Sequence, residues 1–140
     1  MHIVLVEPEI PQNTGNIARL CAANGFKLHL VRPLGFATDD KSLKRAGLDY
    51  WNLVEVYYHD SIEEFLAAYA QLDIFYLTTK AKKSYTQVRY TSDCALVFGR
   101  ESKGLPEPLL NAHYEHCIRI PMRDAARSLN LSNAVAIVSY

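Results

Sequence analysis

Three short runs, I-V-L-V at 3–6, I-F-Y-L at 74–77 and A-L-V-F at 95–98, are apolar at every position. A strand with one wet face alternates apolar and polar residues, whereas a strand covered on both faces loses the alternation. The chain must therefore build a sheet with a layer on either side, and the segments between the runs supply those layers. Residues 2–6 read as a strand stopped by Glu7 and Pro8. Ile17, Leu20, Cys21 and Ala22 then fall at helical spacing over 15–24, with Gly25 placed as the C-terminal cap. Residues 27–31 read as the next strand, 42–46 as a short helix ending at Gly47, and 53–58 as an alternating strand. A helix over 61–70 opens on Ser61 and Glu64, a capping-box pair. A strand at 73–78, a basic loop at 80–90, a strand at 94–98, a short helix at 106–112 and a strand at 117–120 follow.

The end of the chain is distinctive. Ser128, Asn130, Ser132 and Asn133 crowd into a few residues and lead directly into the apolar run 134–138. Ser and Asn compete with the backbone for hydrogen bonds and favour helix starts, so the last helix is expected to begin between Asn130 and Asn133. It is apolar nearly all round and is expected to be buried on more than one side. The alternation as a whole predicts an α/β fold with a mainly parallel sheet flanked by helices. Ligands of such sheets sit outside the carboxyl ends of the strands. The loops there are polar: E-P-E-I-P-Q-N-T-G-N-I-A-R at 7–19, T-T-K-A-K-K at 78–83, and G-R-E-S-K-G-L-P at 99–106.

With 140 residues, 49% of them apolar, the chain is expected to form one domain over 1–140. No run reaches the length of a membrane span, and the N-terminus lacks the basic start and cleavage site of a signal peptide, so a cytoplasmic location is expected. Cys21, Cys94 and Cys117 sit far apart in apolar runs and are expected to be free buried thiols. No C-x-x-C pairing occurs, and His113, His116 and Cys117 read as a helix end meeting a buried strand, so no metal is expected. Gly99 and Gly104 show P-loop spacing, but Leu105 and Pro106 follow where Lys and Ser or Thr are required. The dinucleotide and esterase fingerprints G-x-G-x-x-G and G-x-S-x-G are absent.

Three segments carry a resemblance: N-T-G-N-I-A-R at 13–19, F-G-R-E-S-K-G-L-P at 98–106, and I-P-M-x-x-x-x-R-S-L-N-L-S-N-A-V-A at 120–136. In this order they resemble the three motifs of the SPOUT methyltransferases, which are S-adenosylmethionine-dependent RNA 2'-O-methyltransferases with a deep C-terminal trefoil knot. The opening E-P-E-I-P-Q-N-T-G-N and R-A-G-L-D-Y at 45–50 are similar to the branch that methylates the wobble cytidine or uridine in the tRNA anticodon loop, a branch without an added RNA-binding domain. The resemblance implies a homodimer, with the last helix packed partly on a second copy. It also implies that this helix normally runs beyond Tyr140. Matching motif by motif, it implies a cofactor site at Leu77, Thr78, Gly99, Glu101, Ile120, Met122, Ser128, Leu129 and Asn130. From the residues alone, Leu77 and Ile120 read equally as strand core and Ser128 and Asn130 as helix caps.

Asn13 and Arg19 are the catalytic candidates under that resemblance. A guanidinium stays protonated at any working pH, so Arg19 is expected to grip a phosphate and orient the ribose hydroxyl rather than act as a base. Glu101 is expected to hold backbone or arginine groups in its own loop. Lys80, Lys82, Lys83 and Arg89 form an acid-free basic stretch suited to RNA phosphates, joined by Lys44, Arg45 and Arg127. Tyr50, Trp51 and Tyr85 are candidates for stacking on exposed bases, with core packing the alternative for Trp51. Two other readings stay open: a 2'-O-methyltransferase for another tRNA or ribosomal RNA position, and a knotted RNA-binding module without turnover.

Overall fold

The computed structural model describes residues 1–37, 41, 51–126 and 128–140. The helix expected at 42–46, together with Lys44, Arg45, Tyr50 and Arg127, lies outside the described residues. The strands are β1 (His2–Val6), β2 (Lys27–Val31), β3 (Val56–His59), β4 (Asp73–Leu77), β5 (Lys83–Ser84), β6 (Cys94–Phe98) and β7 (Cys117–Arg119). Among the described residues the α-helices are α1 (Pro11–Asn24), α2 (Ile62–Ala68), α3 (Glu107–Ala112) and α4 (Leu131–Ser139). The strands form one sheet in the order β3-β2-β1-β6-β4-β7-β5, and every pairing is parallel.

Both faces are covered, as the unbroken apolar runs require. All residues of β1 and β6 are buried. Ile3, Leu5, Leu28, Leu30 and Leu96 meet Ile17, Ala18 and Cys21 of α1 and Leu131, Val135 and Val138 of α4 on one face. Val4, Val6, Val31, Ala95 and Val97 meet Ile62 and Phe65 of α2 and Leu110 of α3 on the other. Each fully buried side chain of this size contributes roughly 1.5–3 kcal/mol, so the two layers dominate the stability of the fold. Cys21, Cys94 and Cys117 are buried free thiols, and burial pushes Cys21 up to about 12. His113 stacks on Tyr76 at 4.8 Å, and the Cys117 thiol donates to the Leu110 and His113 carbonyls, so this cluster closes the end of α3.

Three local expectations are corrected. Helix α1 starts at Pro11 rather than 15, because proline at the first helical position loses no intrahelical hydrogen bond. Asn13 and Thr14 consequently lie inside the helix and do not cap it. The basic loop at 80–90 contains the two-residue strand β5 and a 3-10 turn over Tyr85–Gln87. Third, β3 begins at Val56, with 53–55 outside the strand. The caps at Gly25 (φ 70°), Ser61 and Asn130 are where the sequence places them. Trp51 and Tyr85 pack, partly buried, against the core.

The far edge of the sheet has an unusual path. Leu77 of β4 and Lys83 of β5 both pair with Ile118 of β7, one on each side of it. The segment 78–82 therefore crosses β7, held down by Thr78 N–H donating to Ile118 O (3.0 Å) and Ala81 N–H to Thr78 O (3.3 Å). A later strand thus lies between two earlier ones that a short arch connects. Such a crossing is what a threaded chain end requires, and it departs from the usual rule that connections do not cross. Within this chain α4 is covered on one side: Val135 and Val138 are buried, whereas Ile137 is 40% exposed.

Candidate active site

Strand order reverses at β1, from which the chain first builds outward through β2 and β3 and later returns through β6 and β4 on the opposite side. Such a reversal opens a crevice at the carboxyl edge of a parallel sheet. Here β1, β6, β4 and β7 are consecutive neighbours, so the loops that follow them meet in one place. They surround a cleft of about 540 Å³, a volume suited to a small organic ligand.

Every residue expected to hold a cofactor lines this cleft. Leu77 and Thr78 come from the end of β4, Gly99 and Glu101 from the turn after β6, and Ile120, Met122, Ser128, Leu129 and Asn130 from the segment between β7 and α4. Asn13 of α1 and Lys80 also line it. The walls combine apolar side chains with turns rich in backbone groups. That is the donor set a nucleoside needs, a flat apolar slot with main-chain partners at its rim. The turn over 99–104 is tight: Arg100 and Gly104 exchange backbone hydrogen bonds of 3.2 and 2.8 Å, and Gly104 has φ +69°. A Cβ at Gly99 would lie 2.1 Å from the carbonyl carbon of Gly104, so only glycine closes this turn.

A continuous polar net ties the loops together. Glu101 accepts from the N–H of Glu9 (2.9 Å) and of Ile10 (2.7 Å), and from Asn13 Nδ2 (3.4 Å). Its partners lie in the loop after β1 and the first turn of α1 rather than in its own loop, which corrects the expectation. Asn13 Oδ1 accepts from Asn130 Nδ2 (3.1 Å), and Asn130 Oδ1 in turn accepts from Asn133 N–H (3.2 Å) and Ser132 Oγ (2.6 Å). The side chain of Asn13 is thus engaged on both its oxygen and its nitrogen. Both oxygens of Glu101 are engaged as well, Oε1 by Glu9 N–H and Oε2 by Ile10 N–H and Asn13 Nδ2.

Arg19 is exposed and does not line the cleft; it lies on the outward stripe of α1 with Gln12 and Asn16, while Ile17, Ala18 and Cys21 face the core. Lys82, Lys83 and Arg89 are exposed and do not line the cleft. Lys80 forms an ion pair with Glu107 of α3, so its charge is partly answered within the chain. Sequence reasoning passed over Ser102 and Glu9, and read Arg100 as a phosphate contact, whereas its guanidinium meets Glu9 Oε2 (3.4 Å). The only signal for Glu9 was an acid between Pro8 and Pro11 in a loop after a strand, and that pattern says nothing about its partner.

The chain matches the model of the SpoU rRNA Methylase family over residues 1–140. It is 51% identical over 141 residues to the tRNA (cytidine(34)-2'-O)-methyltransferase of Escherichia coli (strain K12), covering 100% of this chain and 90% of that protein. A solved structure described as "Structural insights into the 2-OH methylation of C/U34 on tRNA" superposes with a TM-score of 0.94 at 46% identity, covering 99% of this chain and 91% of the other. The SpoU methyltransferase AviRb from Streptomyces viridochromogenes, described in complex with the cofactor AdoMet, shares the fold at 20% identity, with a TM-score of 0.82 over 99% of this chain and 54% of that one. With a match along its whole length and a methyltransferase fold around one cleft, this chain belongs to the SpoU rRNA methylase family.

Proposed function

We propose that this chain transfers a methyl group from S-adenosylmethionine to the ribose 2'-hydroxyl of the wobble nucleotide, C/U34, of tRNA. The observation that carries the reading is the convergence of the loops after β1, β4, β6 and β7 on one cleft lined by every residue expected to hold the cofactor. It is supported by 51% identity to a protein named for that reaction. S-adenosylmethionine supplies an electrophilic methyl group on a sulfonium centre. Leu77, Ile120 and Leu129 offer the apolar slot, and the backbone of Thr78, Gly99 and Met122 offers partners for polar edges. Ser128 and Asn130 close the cleft from the α4 side, while Glu101 and Asn13 hold its walls together.

Arg19 grips a phosphate of the incoming RNA and sets the ribose in line with the methyl group, since its charge is permanent. Lys80, Lys82, Lys83 and Arg89 attract the anticodon stem-loop, as Lys44, Arg45 and Arg127 do in the proposal. Ile10, Leu129, Ile137 and Tyr140 are exposed apolar side chains on or beside α1 and α4. Their exposure supports a homodimer through these helices. No helix among the described residues is long and apolar enough to cross a membrane. Residues 1–140 acting as a single catalytic domain, a threaded chain end and a cytoplasmic location complete the proposal.

The test is transfer of labelled methyl from S-adenosylmethionine to bulk tRNA, followed by mapping of the modified nucleotide. Label at the wobble ribose is expected. Label at another tRNA position or on ribosomal RNA selects the related specificity, and saturable RNA binding without transfer selects the non-catalytic module.

A further inference from the structure

Glu101 is one half of a reciprocal arrangement whose other half is Glu9. Helix α1 has no side-chain cap from Ile10 and no acidic residue in its first turn. The carboxylate that meets the N–H of Ile10 comes instead from the turn after β6, 91 residues away. A negative charge at that end of a helix is favoured, because the first N–H groups have no partners within the helix. In return, Glu9 reaches across to the same turn. Its Oε1 accepts from Ser102 N–H (2.8 Å) and Ser102 Oγ (2.7 Å), and its Oε2 from Ser102 Oγ (3.0 Å) and Arg100 (3.4 Å). These hydrogen bonds hold the Glu9 carboxyl below its usual range, led by that from the Ser102 backbone. Each loop thus offers a carboxylate to the other's backbone, and charge-assisted bonds of this kind are the strong ones.

Glu9 is also backed from behind. Gly35 N–H donates to Pro8 O (2.9 Å), and a Cβ at Gly35 would lie 2.8 Å from the Cα of Glu9. The 34–35 segment therefore presses against the Glu9 backbone. The carboxylate is aimed from a fixed base, and what it holds is the turn bearing Gly99 and Glu101 on the cleft.

We propose that Glu9 is a positioning residue for methyl transfer: through Ser102 and Arg100 it holds the cleft turn 99–104 against the start of α1. The inference rests on the function proposed above. The cleft turn lines the cofactor cleft, and α1 carries Asn13 into the same cleft and the exposed Arg19, proposed to grip the RNA, outside it. The distance between the two reactants is thus set by the pair of carboxylates. Loosening one of them leaves each ligand its own contacts and spoils only their mutual alignment.

The experiment compares wild type, Glu9→Gln, Ser102→Ala and the double variant in labelled methyl transfer to tRNA. Binding of S-adenosylmethionine is measured by calorimetry, and amide hydrogen exchange is followed at Ser102. In Glu9→Gln, kcat is expected to fall on the order of 10- to 100-fold, as misplacement by an ångström does. The Kd for S-adenosylmethionine and the KM for tRNA are expected to stay within about threefold, because uniform binding is untouched. The double variant falls no further than the worse single one, since the two residues act as a unit. Exchange at Ser102 quickens in Glu9→Gln. An unchanged kcat, an unchanged exchange rate, or a parallel loss of kcat, both affinities and Tm overturns the positioning role. A wild type that binds S-adenosylmethionine but methylates no RNA sinks the proposed function, whereas an active wild type with an equally active Glu9→Gln sinks Glu9 alone.

Discussion

Two polar networks cross this molecule, and they solve opposite problems. The loop clamp uses carboxylates whose oxygens are met by donors, at the open edge of the sheet. The other network is a ladder of histidines under α2. His2 Nδ1 lies 2.9 Å from His29 Nε2, and His29 Nδ1 lies 2.9 Å from His59 Nε2. The ends face Asp93 (3.2 Å from His2) and Glu64 (3.9 Å from His59). The three rings are 4%, 0% and 7% exposed, and Phe65 and Tyr69 pack against them. Burial first, then on His29 the neighbouring His2 and His59 ahead of Lys27, disfavours the imidazolium; Asp93 pulls His2 and Glu64 pulls His59 the other way, against burial and, on His59, Arg32. The clamp therefore works by being charged and the ladder by staying neutral. One sets the geometry of a site, and the other holds β1, β2 and β3 together.

Breaking the middle rung is expected to give the largest effect. His29→Ala leaves a cavity and strands a ring nitrogen on each neighbour, so unfolding free energy should fall by about 3 kcal/mol in urea titrations at pH 7.5. Methyl transfer per folded molecule should stay near wild type, because the ladder contributes nothing to the cleft. A selective loss of kcat with stability intact would dissolve the contrast.

Acid separates the two networks next. Burial lowers His29 to about 3, so the unfolded chain binds a proton there below its ordinary value of 6.5 while the folded chain does not. Stability therefore falls as pH drops, by about 2 kcal/mol between pH 6.5 and 5 from His29 alone. His2 and His59, also lowered, add in the same sense. Glu9 is lowered from 4.5, and its contribution is present above that value and lost only as pH falls through the lower folded one. At pH 5 the ladder is already weakened and the clamp still closed. Denaturant midpoints from pH 8 to 5 test this, and the slope should flatten in His29→Ala.

The ladder was not legible in the sequence, and the reason is geometric. In the strand register His2 stands beside Lys27, His29 beside Tyr57, and His59 beside Val31. Each histidine is thus offset by two residues from the next, which keeps all three on one face. Only the register, which single-sequence patterning does not supply, reveals the alignment. Strands β1 and β6 were legible to the residue because their neighbours on both faces demand apolar runs, and β2 was legible from its stop at Arg32 and Pro33 although His29 interrupts its apolar residues. β5 was not, since Lys83 and Ser84 have no strand signature and pair only because β7 lies beside them. The cleft residues were legible through motif likeness, whereas Glu9 became visible only when its partner 93 residues away was in place.

Asn130 sits where capping and site geometry coincide, so it probes the clamp side at lower amplitude. Asn130→Ala removes the N-cap of α4 and the link to Asn13. A stability loss of about 1 kcal/mol is expected from the cap, read from the shift in denaturant midpoint. A fall in kcat should accompany it. Unlike the ladder variant, this one should move both quantities, and a stability loss without any change in kcat would detach Asn13 from the reacting geometry.

The smallest effect concerns a proton count. Three neutral rings carry three ring protons for the four gaps between Asp93 and Glu64. Donation toward Asp93 at 3.2 Å leaves His59 Nδ1 bare toward Glu64, so one further proton would fill the ladder from that end. Glu64 favours that uptake by its charge alone, because 3.9 Å exceeds hydrogen-bond range and its side chain is 51% exposed. Glu64→Gln removes the attraction while the Ser61 cap on the Glu64 backbone N–H remains available. The folded ladder then resists protonation further, so the variant should match wild type at pH 8 and be less stable by about 0.3 kcal/mol near pH 5.5. Matched urea titrations at the two pH values read this difference. A deficit larger at pH 8 than at pH 5.5 would mean that Glu64 supports α2 itself, and the ladder would then end at His59.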